Sequence, residues 1–443
     1  FISSLFFIYF YEEKIPYNYI GCQMNKSDSE RVAAFFENHG YQTASDPRQA
    51  DIIVLNTCGV RQSAEDRVYG LVNQLRKKNK DAKIVVTGCL GRREDVKQRL
   101  NKLADLFLPI SSFPDIFQLL AGRLKTSKLS LNEVRLRQGE KYLTILPKYQ
   151  IKFSAFVPIG NGCNNFCSYC VVPYARGREV YRPVKDILQE VKELLKNGYR
   201  EIILIAQNVN SYKSGKVDFP TLLEKIVKLK GDFWLRFSTS HPKDVSPKLI
   251  KVFGEQVKIC PHFHVAVQSG DDKILKVMNR KYTAKHFSDL VAKIRQARPG
   301  VSITTDVIVG FPGETKEQFN NTVKLFKQLK FDMAYIARFS PRPQTVAAQM
   351  KDNVTREEKR RREKVLESVL RQTALENNQK YLNQTVTILV QGINKNSNYY
   401  GQTASAKQVV VTGKHRAQKN LVGNFLPVKI KKFQEFSLEA ELI

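Results

Sequence analysis

The feature that most constrains the fold is a repeated alternation of short apolar strands with amphipathic helices in the middle of the chain. The predicted strands cover residues 154–159, 201–207, 233–238, 262–267, 302–309 and 333–339, with helical periodicity between them. Strand and helix repeats of this kind favour parallel pairing, because each crossover returns the chain to the same edge of the sheet. Six units predict a partial (βα)6 barrel, with chemistry expected at the carboxyl ends of its strands.

Three cysteines follow the first of these strands, at Cys163, Cys167 and Cys170. This Cys-x3-Cys-x2-Cys loop gathers three thiolates, so a four-iron cluster held there would keep one iron open for a ligand. A zinc site or buried structural cysteines are the alternatives. Zinc needs a fourth ligand, however, and no His or further Cys lies near the loop. The spacing therefore favours an iron–sulfur cluster.

A second group of cysteines lies in the N-terminal segment, where strands again alternate with helices from residue 17 to about residue 120. Cys22, Cys58 and Cys89 each come directly after an apolar strand. Taken singly, each is more simply interpreted as a buried structural residue. The carboxyl ends of parallel strands converge on one crevice, so together they predict a second three-cysteine cluster in an open parallel α/β domain.

Charge and cysteine content restrict the partner and the compartment. Lys and Arg number 72 against 42 acidic residues, a net charge of +30 that favours an acidic partner such as nucleic acid. Seven cysteines in a long chain argue against a disulfide framework and for a reducing, cytoplasmic location. The apolar first ten residues are too short to span a bilayer and lack the basic start of a signal peptide, so stable membrane association is not expected.

The C-terminal part changes in character. A long charged helix is predicted over residues 355–382, opened by Thr355 and Glu358 as a capping box. Its basic run 359–362 either meets phosphate or is solvated. Short strands from residue 384 onward predict a small closed β-barrel, a common nucleic-acid-binding shape. Eight Lys or Arg and three Glu lie in 381–443, and we place Tyr399 and Tyr400 in a loop where bases could stack.

Several short motifs resemble those of the methylthiotransferase family, within the radical S-adenosylmethionine superfamily, over nearly the whole chain from about residue 17. The motifs are GCQMN at 21–25, NTC at 56–58, TGC at 87–89, GCNNFCSYC at 162–170, VPYARGR at 172–178, VGFPGET at 309–315 and SPRP at 340–343. The resemblance implies an α/β protein with an N-terminal open parallel domain, a partial (βα)6 TIM-like radical SAM barrel and a C-terminal β-barrel of the TRAM type.

The resemblance also implies an activity. The run QNVNSY at 207–212 and the SPRP motif are similar to the branch that methylthiolates C2 of N6-isopentenyladenosine beside the tRNA anticodon. Methylthiolation of N6-threonylcarbamoyladenosine or of a ribosomal protein, and an inactive RNA-binding homologue, are the alternatives. The family implies two 4Fe-4S clusters, one at each cysteine group, together with S-adenosylmethionine.

Further residues follow from the family pattern. Tyr169 occupies the place of an aromatic near the adenine of S-adenosylmethionine, although core packing explains it equally well. Gln207, Asn208 and Gln268 follow predicted strands and are candidate cofactor ligands. Arg338 and Arg342 are candidates to pair with the cofactor carboxylate or with RNA phosphate, because Arg offers a bidentate fork.

These patterns divide the chain and define its partners. We expect six segments: an apolar extension 1–16, an α/β domain 17–125, a linker 126–148, a radical SAM barrel 149–352, a linker helix 353–382 and a TRAM domain 383–443. The expected partners are the tRNA anticodon stem-loop and a low-potential electron donor such as flavodoxin or ferredoxin. We expect a monomer in the cytoplasm.

Overall fold

The computed structural model describes residues 6–10, 22–59, 62–122, 141–413 and 421–443. Within these ranges, a parallel sheet with helices is followed by a partial barrel, a long helix and a closed β-barrel. The α/β architecture with a C-terminal β-barrel confirms the predicted fold class. The division into six segments stays a prediction.

The N-terminal sheet has five parallel strands in the order β2-β1-β3-β4-β5. They are β1 (Phe6–Phe10), β2 (Tyr41–Thr43), β3 (Ile52–Thr57), β4 (Lys83–Gly88) and β5 (Leu106–Phe107). The helices are α1 (Gln23–Asn38), α2 (Gln62–Lys78), α3 (Glu94–Leu100) and α4 (Ile116–Leu120). Two separate apolar clusters, one including Val54 and Val85 and the other Ile53 and Ile84, sandwich β3 and β4, since neighbouring strand residues point to opposite faces.

One prediction about this region needs correction. Residues 6–10, assigned to an apolar extension, form β1 and pair with β2 and β3 inside the sheet. Both pairings are parallel, so β1 lies between β2 and β3 in the sheet. The strand predicted directly before Cys22 lies outside the described residues.

The central part contains the predicted partial barrel. Its strands, including four short accessory ones, are β6 (Ser154–Pro158), β7 (Gly160–Asn161), β8 (Val180–Tyr181), β9 (Glu201–Ile205), β10 (Lys213–Ser214), β11 (Val217–Asp218), β12 (Trp234–Phe237), β13 (His262–His264), β14 (Ser302–Val309) and β15 (Met333–Arg338). Its helices are α5 (Val172–Arg176), α6 (Val184–Lys196), α7 (Phe219–Val227), α8 (Pro247–Glu255), α9 (Asp272–Val277), α10 (Ala284–Ala297) and α11 (Lys316–Leu329).

Six of these strands run parallel in chain order. Two three-stranded sheets, β12-β9-β6 and β13-β14-β15, are joined by single bridges such as Leu235 to Ile259. The helices pack on the outside with residues such as Ile187, Val191 and Leu194, whose spacing places them on one face of α6. The six-unit barrel is therefore confirmed.

The chain then continues into helix α12 (Arg356–Gln379) and a closed barrel in the order β16-β17-β18-β20-β19. The barrel strands are β16 (Thr385–Ile393), β17 (Tyr399–Thr403), β18 (Gln408–Val411), β19 (Phe425–Phe433) and β20 (Ser437–Leu442). The capping box at α12 is only half formed: the Thr355 hydroxyl accepts the Glu358 N–H at 3.2 Å, whereas the Glu358 carboxylate binds Arg361 and Arg362.

The loop predicted for the two tyrosines is wrong. Tyr399 and Tyr400 begin β17, and the Tyr399 side chain is 2% exposed within the core of the β-barrel. Adjacent strand residues alternate between faces, so one tyrosine points inward and cannot stack on a base. Two aromatic residues in sequence carry no local signal that separates a loop from a strand.

The β-barrel contacts the central barrel at the amino ends of its strands. Arg236 joins them: its guanidinium binds Glu201 at 2.7 Å and donates to the carbonyls of Thr403 and Ala404. The ring of Trp234 packs 4.7 Å from that of Phe425. The carboxyl ends of the central barrel strands, where chemistry is expected, lie on the opposite side, which carries the cysteine loop and contacts the N-terminal sheet.

Candidate active site

The first cysteine group lies on a loop at the carboxyl end of β6. The loop begins and ends on the antiparallel pair β7 and β8, which holds its two ends together. Gly162 has φ +85°, and a Cβ there would lie 2.1 Å from the Arg178 carbonyl oxygen, so only glycine fits. The N–H of Cys163 donates to the Gly177 carbonyl at 3.1 Å. The loop is therefore fixed by backbone contacts before any metal binds.

Residues at the end of α9 support the same loop. Arg280, which the sequence analysis missed, donates to the Cys167 sulfur at 3.5 Å and to the Ala266 carbonyl at 2.6 Å. Asn279 donates to the Phe166 carbonyl at 2.9 Å. The Ser168 N–H donates to the Met278 carbonyl at 3.1 Å. A buried cation thus faces one thiol of the loop, where it offsets the negative charge of a thiolate.

The second cysteine group is assembled by β3, β4 and the start of α1. Cys22 caps α1, and Asn25 one turn later binds the Cys22 sulfur at 3.0 Å and the Thr57 carbonyl at 2.9 Å. Asn56 in turn donates to the Asn25 carbonyl at 2.8 Å. The two asparagines therefore tie the loop of the first cysteine to that of the second. Asparagine suits this role because its amide both donates and accepts.

The register of β3 and β4 brings the other two thiols together. Thr57 pairs with Gly88, so Cys58 and Cys89 leave neighbouring strand ends side by side. A Cβ at Gly88 would lie 2.4 Å from the Thr57 carbonyl, and one at Gly59 would lie 3.1 Å from the Cys89 Cβ. The glycines of these motifs allow the two loops to approach closely.

Arg176 connects the two cysteine groups. It lies in α5, directly after the first group, and pairs with Asp28 of α1 at 2.6 Å, with both side chains 1% exposed. Burial opposes its charge, but Asp28 and the nearby thiols of Cys89 and Cys22 raise the pKa of Arg176 well above its ordinary value. The helix that follows one cysteine group therefore presents a fixed cation to the other.

Arg342 of the SPRP motif makes a second contact between the barrel and the N-terminal sheet. Its guanidinium donates to the Gln62 amide oxygen at 2.8 Å and lies 3.6 Å from the Glu65 carboxylate. Glu65 also binds the buried Arg93. Arg342 thus lies at the interface near Cys58. Burial lowers the pKa of Arg342, and the nearby Glu65 and Cys58 oppose that shift.

Three of the predicted cofactor residues sit beside the cysteine loop and make protein contacts there. Tyr169 packs against the apolar cluster that includes Phe311 and Phe339. Gln207 accepts the Gly162 N–H at 2.6 Å through its side-chain oxygen. Asn208 is 3% exposed and donates to the Asp244 carboxylate at 2.7 Å. The two amide residues therefore brace the loop and its surroundings in this structure.

Gln268 and Arg338 have different environments. Gln268 is 8% exposed and adopts φ +67°, a conformation that costs a residue with a side chain about 1 kcal/mol. Its backbone N–H donates to the Asp306 carbonyl of β14 at 2.8 Å, while its side-chain amide forms no hydrogen bond within the described part of the chain. Arg338 is exposed at the carboxyl end of β15 and pairs with Glu363 of α12 at 3.1 Å.

Local surroundings raise the pKa of thiols in both cysteine groups. Burial raises the pKa of Cys163 to about 11. Desolvation of its sulfur raises the pKa of Cys22 to about 12 although the residue as a whole is exposed; Arg176 opposes the shift, and repulsion from Cys58 and Cys89 adds to it. Positive metal charge is what allows buried thiols to ionise together.

The arrangement also bears on the zinc alternative. Among the described residues, no three His, Cys, Asp or Glu side chains are arranged to hold a single metal ion. A tetrahedral zinc site requires its ligands around one point. In a four-iron cluster each thiolate binds a separate iron, so its cysteines stand farther apart. Each group offers three cysteines, and thiolate sulfur is the donor that 4Fe-4S clusters use.

Comparison with known proteins decides the family. The chain matches the Radical SAM superfamily over residues 157–326, the uncharacterized protein family UPF0004 over 14–108 and the TRAM domain over 379–443. It is 41% identical over 435 residues to the tRNA-2-methylthio-N(6)-dimethylallyladenosine synthase of Clostridium tetani, covering 95% of this chain and 94% of that protein. The synthase of Syntrophomonas wolfei is 39% identical, covering 97% and 99%. The chain belongs to this synthase family.

Solved structures agree on the fold. The radical S-adenosylmethionine methyltransferase TsrM of Kitasatospora setae, whose structure holds cobalamin and a [4Fe-4S] cluster, aligns with a TM-score of 0.59 at 12% identity, covering 78% of this chain and 77% of that one. The cobalamin-dependent radical enzyme OxsB aligns at 0.52 and 11%, covering 82% and 56%.

Family membership settles the enzyme class and part of the cofactor set. The chain is a radical SAM enzyme, and the superfamily implies a 4Fe-4S cluster and S-adenosylmethionine. The TRAM match and the tRNA-modifying relatives support tRNA as the substrate class. In the described ranges, every helix is too short or too polar to cross a bilayer.

Proposed function

We propose that this enzyme methylthiolates C2 of N6-isopentenyladenosine next to the tRNA anticodon, with two 4Fe-4S clusters and S-adenosylmethionine. Cys163, Cys167 and Cys170 hold one cluster, and Cys22, Cys58 and Cys89 hold the other. The observation that carries the proposal is the presence of two three-cysteine groups linked by the buried pair of Asp28 and Arg176. The names of the relatives support the substrate.

The target atom explains why a radical cofactor is needed. C2 of adenine is neither nucleophilic nor acidic, so a positioned acid or base offers little. When bound, the loop cluster and S-adenosylmethionine supply the radical chemistry that a side chain lacks. The protein contributes binding, orientation and exclusion of water, and the backbone contacts of the cysteine loop serve that purpose.

Individual residues take distinct parts in this proposal. Gln268 is a cofactor ligand, because it is nearly buried beside β14, its backbone is strained at φ +67° and its side-chain amide has no hydrogen bond within the described residues. Gln207 positions the loop through Gly162, and Asn208 positions the neighbouring segment through Asp244. Tyr169 flanks the cofactor from the apolar side, and Arg338 binds the cofactor carboxylate or RNA phosphate.

Iron and sulfide analysis of anaerobically reconstituted protein tests the cluster assignment. We expect about eight irons in the wild type and about four in each triple variant, one with Cys163, Cys167 and Cys170 changed to Ala and one with Cys22, Cys58 and Cys89 changed to Ala. Electron paramagnetic resonance distinguishes the two remaining clusters. A wild type with only about four irons contradicts the two-cluster proposal.

The substrate is tested separately with tRNA. Incubation of the wild type with isopentenylated tRNA should give the 2-methylthio nucleoside on digestion and mass spectrometry, and tRNA without the isopentenyl group should give none. Product from threonylcarbamoylated tRNA alone would instead support the alternative branch. An unchanged tRNA pool in a cell lacking the gene would remove tRNA as the substrate.

A further inference from the structure

Helix α12 carries a row of exposed cations along one face. Arg356, Arg360 and Lys364 are spaced four residues apart, so they lie on the same side of the helix. With Glu357 and Arg361 they line an open groove of about 490 Å³. None of the three has an acidic partner among the described residues. We call these three residues the α12 cation row.

Neighbouring basic residues on the helix have other roles. Lys359 is 6% exposed and pairs with Asp352, while Arg362 is 4% exposed and binds Glu314 at 2.6 Å. Arg361 is held by Glu358 at 2.6 Å. The run 359–362 therefore does not form one basic face, because consecutive residues point around the helix. Among the described residues of α12, the basic side chains without an acidic partner are those of the cation row.

The position of the row relates it to the active site. The first half of α12 lies at the carboxyl ends of the strands, where Lys359 packs against Gly310 directly after β14 and Glu363 pairs with Arg338 of β15. The second half reaches the β-barrel, where Asn378 donates to the Gln434 carbonyl at 2.8 Å. A helix of 24 residues is about 36 Å long, so it links the catalytic edge to the C-terminal barrel.

The described surface of the β-barrel itself offers less unpaired charge. Lys407 is buried against Asp332 at 2.6 Å. Lys431 and Lys432 of β19 pair with Glu441 and Glu439 of β20 at 3.2 and 3.6 Å. Lys414, Arg416 and Lys419 lie outside the described residues. Lys395 and Lys429 are exposed and have no acidic partner among the described residues, so the described barrel surface keeps two such cations against three in the cation row.

We propose that the α12 cation row binds consecutive phosphodiester groups of the tRNA substrate. Four residues of helix advance about 6 Å, so the three cations are spaced to contact successive phosphates of a sugar–phosphate backbone. Such contacts set the position of the nucleic acid and its salt dependence without reading sequence. The inference rests on the proposed tRNA substrate and adds the surface that orients it toward the catalytic edge.

A charge-matched comparison tests the proposal. One variant carries Arg356→Ala, Arg360→Ala and Lys364→Ala; the control carries Lys285→Ala, Lys431→Ala and Lys432→Ala, each at an exposed lysine that pairs with an acidic residue. Both lose three positive charges, so non-specific attraction falls equally. Filter binding or fluorescence anisotropy with isopentenylated tRNA measures the dissociation constant at several salt concentrations, and iron content and circular dichroism check that each variant is folded.

The two variants should separate clearly. Loss of the cation row should weaken binding by roughly ten- to hundredfold and reduce the slope against log salt concentration by about two to three, from counterion release at three phosphates. The control should change the dissociation constant by less than about threefold, because each of its lysines already pairs with an acidic side chain.

The possible failures are distinguishable. Equal weakening by both variants would mean that only net charge matters and would overturn the cation row. Unchanged binding by the row variant, with tight binding by the wild type, would overturn it as well. A folded, iron-loaded wild type that binds no tRNA would instead overturn the proposed substrate, and the inference with it.

Discussion

Replacing Arg280 by methionine should make the cluster on the Cys163 loop harder to reduce. The Arg280 guanidinium donates to the Cys167 sulfur at 3.5 Å, to the Ala266 carbonyl at 2.6 Å and to the Tyr282 hydroxyl at 2.8 Å. The residue is 7% exposed, so solvent screens this charge weakly. Reduction adds negative charge beside Cys167, and a fixed cation stabilises that state more than the oxidised one.

The size of the shift follows from the strength of the contact. A hydrogen bond from a charged donor contributes about 1.5–3 kcal/mol. For a one-electron couple about 1.4 kcal/mol corresponds to 59 mV, so complete loss lowers the potential by up to about 60–130 mV. Arg280→Lys keeps the charge but not the planar fork, and we expect it to lie between the wild type and Arg280→Met.

A redox titration followed by electron paramagnetic resonance measures the shift. It is best done with Cys22, Cys58 and Cys89 changed to Ala, so that only the loop cluster contributes. Arg298→Met is the matched control, because Arg298 also donates to two carbonyls, those of Phe253 and Gln256 at 2.9 Å, but lies near Cys260 and makes no contact with either three-cysteine group among the described residues. Equal potentials in the Arg280 and Arg298 variants would refute the reasoning.

Two further predictions concern stability. Gly88→Ala should lower the unfolding free energy of the N-terminal sheet by about 2–5 kcal/mol, because φ is +80° and the new Cβ would lie 2.4 Å from the Thr57 carbonyl oxygen. The control Gly40→Ala, at φ +85° with no atom near the new Cβ, should cost about 1–2 kcal/mol. Equal losses of unfolding free energy in urea would argue against the clash at Gly88. Burial, with nearby cations, holds the pKa of His262 at about 3. Because the unfolded chain takes up this proton near pH 6.5, stability should fall as the pH drops below that value, by about 2 kcal/mol at pH 5. His262→Gln should remove this contribution, leaving that of His241, whose pKa burial also lowers to about 2, while exposed His286→Gln should leave the full loss, as thermal unfolding at pH 7 and pH 5 would show.

The architecture was predictable because its signals are local. Each barrel unit repeats the same apolar strand and amphipathic helix. In the N-terminal sheet, Cys58 directly follows β3 and Cys89 directly follows β4. Parallel pairing then fixes which ends converge, so sequence order alone predicts that Cys58 and Cys89 meet. Nothing in such reasoning requires knowledge of side-chain contacts.

The residues that sequence reasoning missed depend on distant partners. Asp28 and Arg176 are 148 residues apart, one in α1 and the other at the end of α5 inside the VPYARGR motif, and nothing in the sequence of either helix identifies its partner. Arg280 ends a short helix and is 113 residues from Cys167. The basic run 359–362 misled for a related reason, since burial of Lys359 and Arg362 depends on Asp352 and Glu314. Composition records the charge of a residue but not the partner that neutralises it.

The buried pair of Asp28 and Arg176 gives this fold its functional constraint. An uncompensated buried charge is strongly unfavourable, so the two residues must stay together once the N-terminal sheet packs on the barrel. Asp28 lies on the helix that begins at Cys22, and Arg176 lies on the helix that follows Cys170. Their contact therefore fixes the separation of the two cysteine groups. Under the proposed function both groups act on one nucleotide, and this ionic contact between their helices holds the groups at a constant distance.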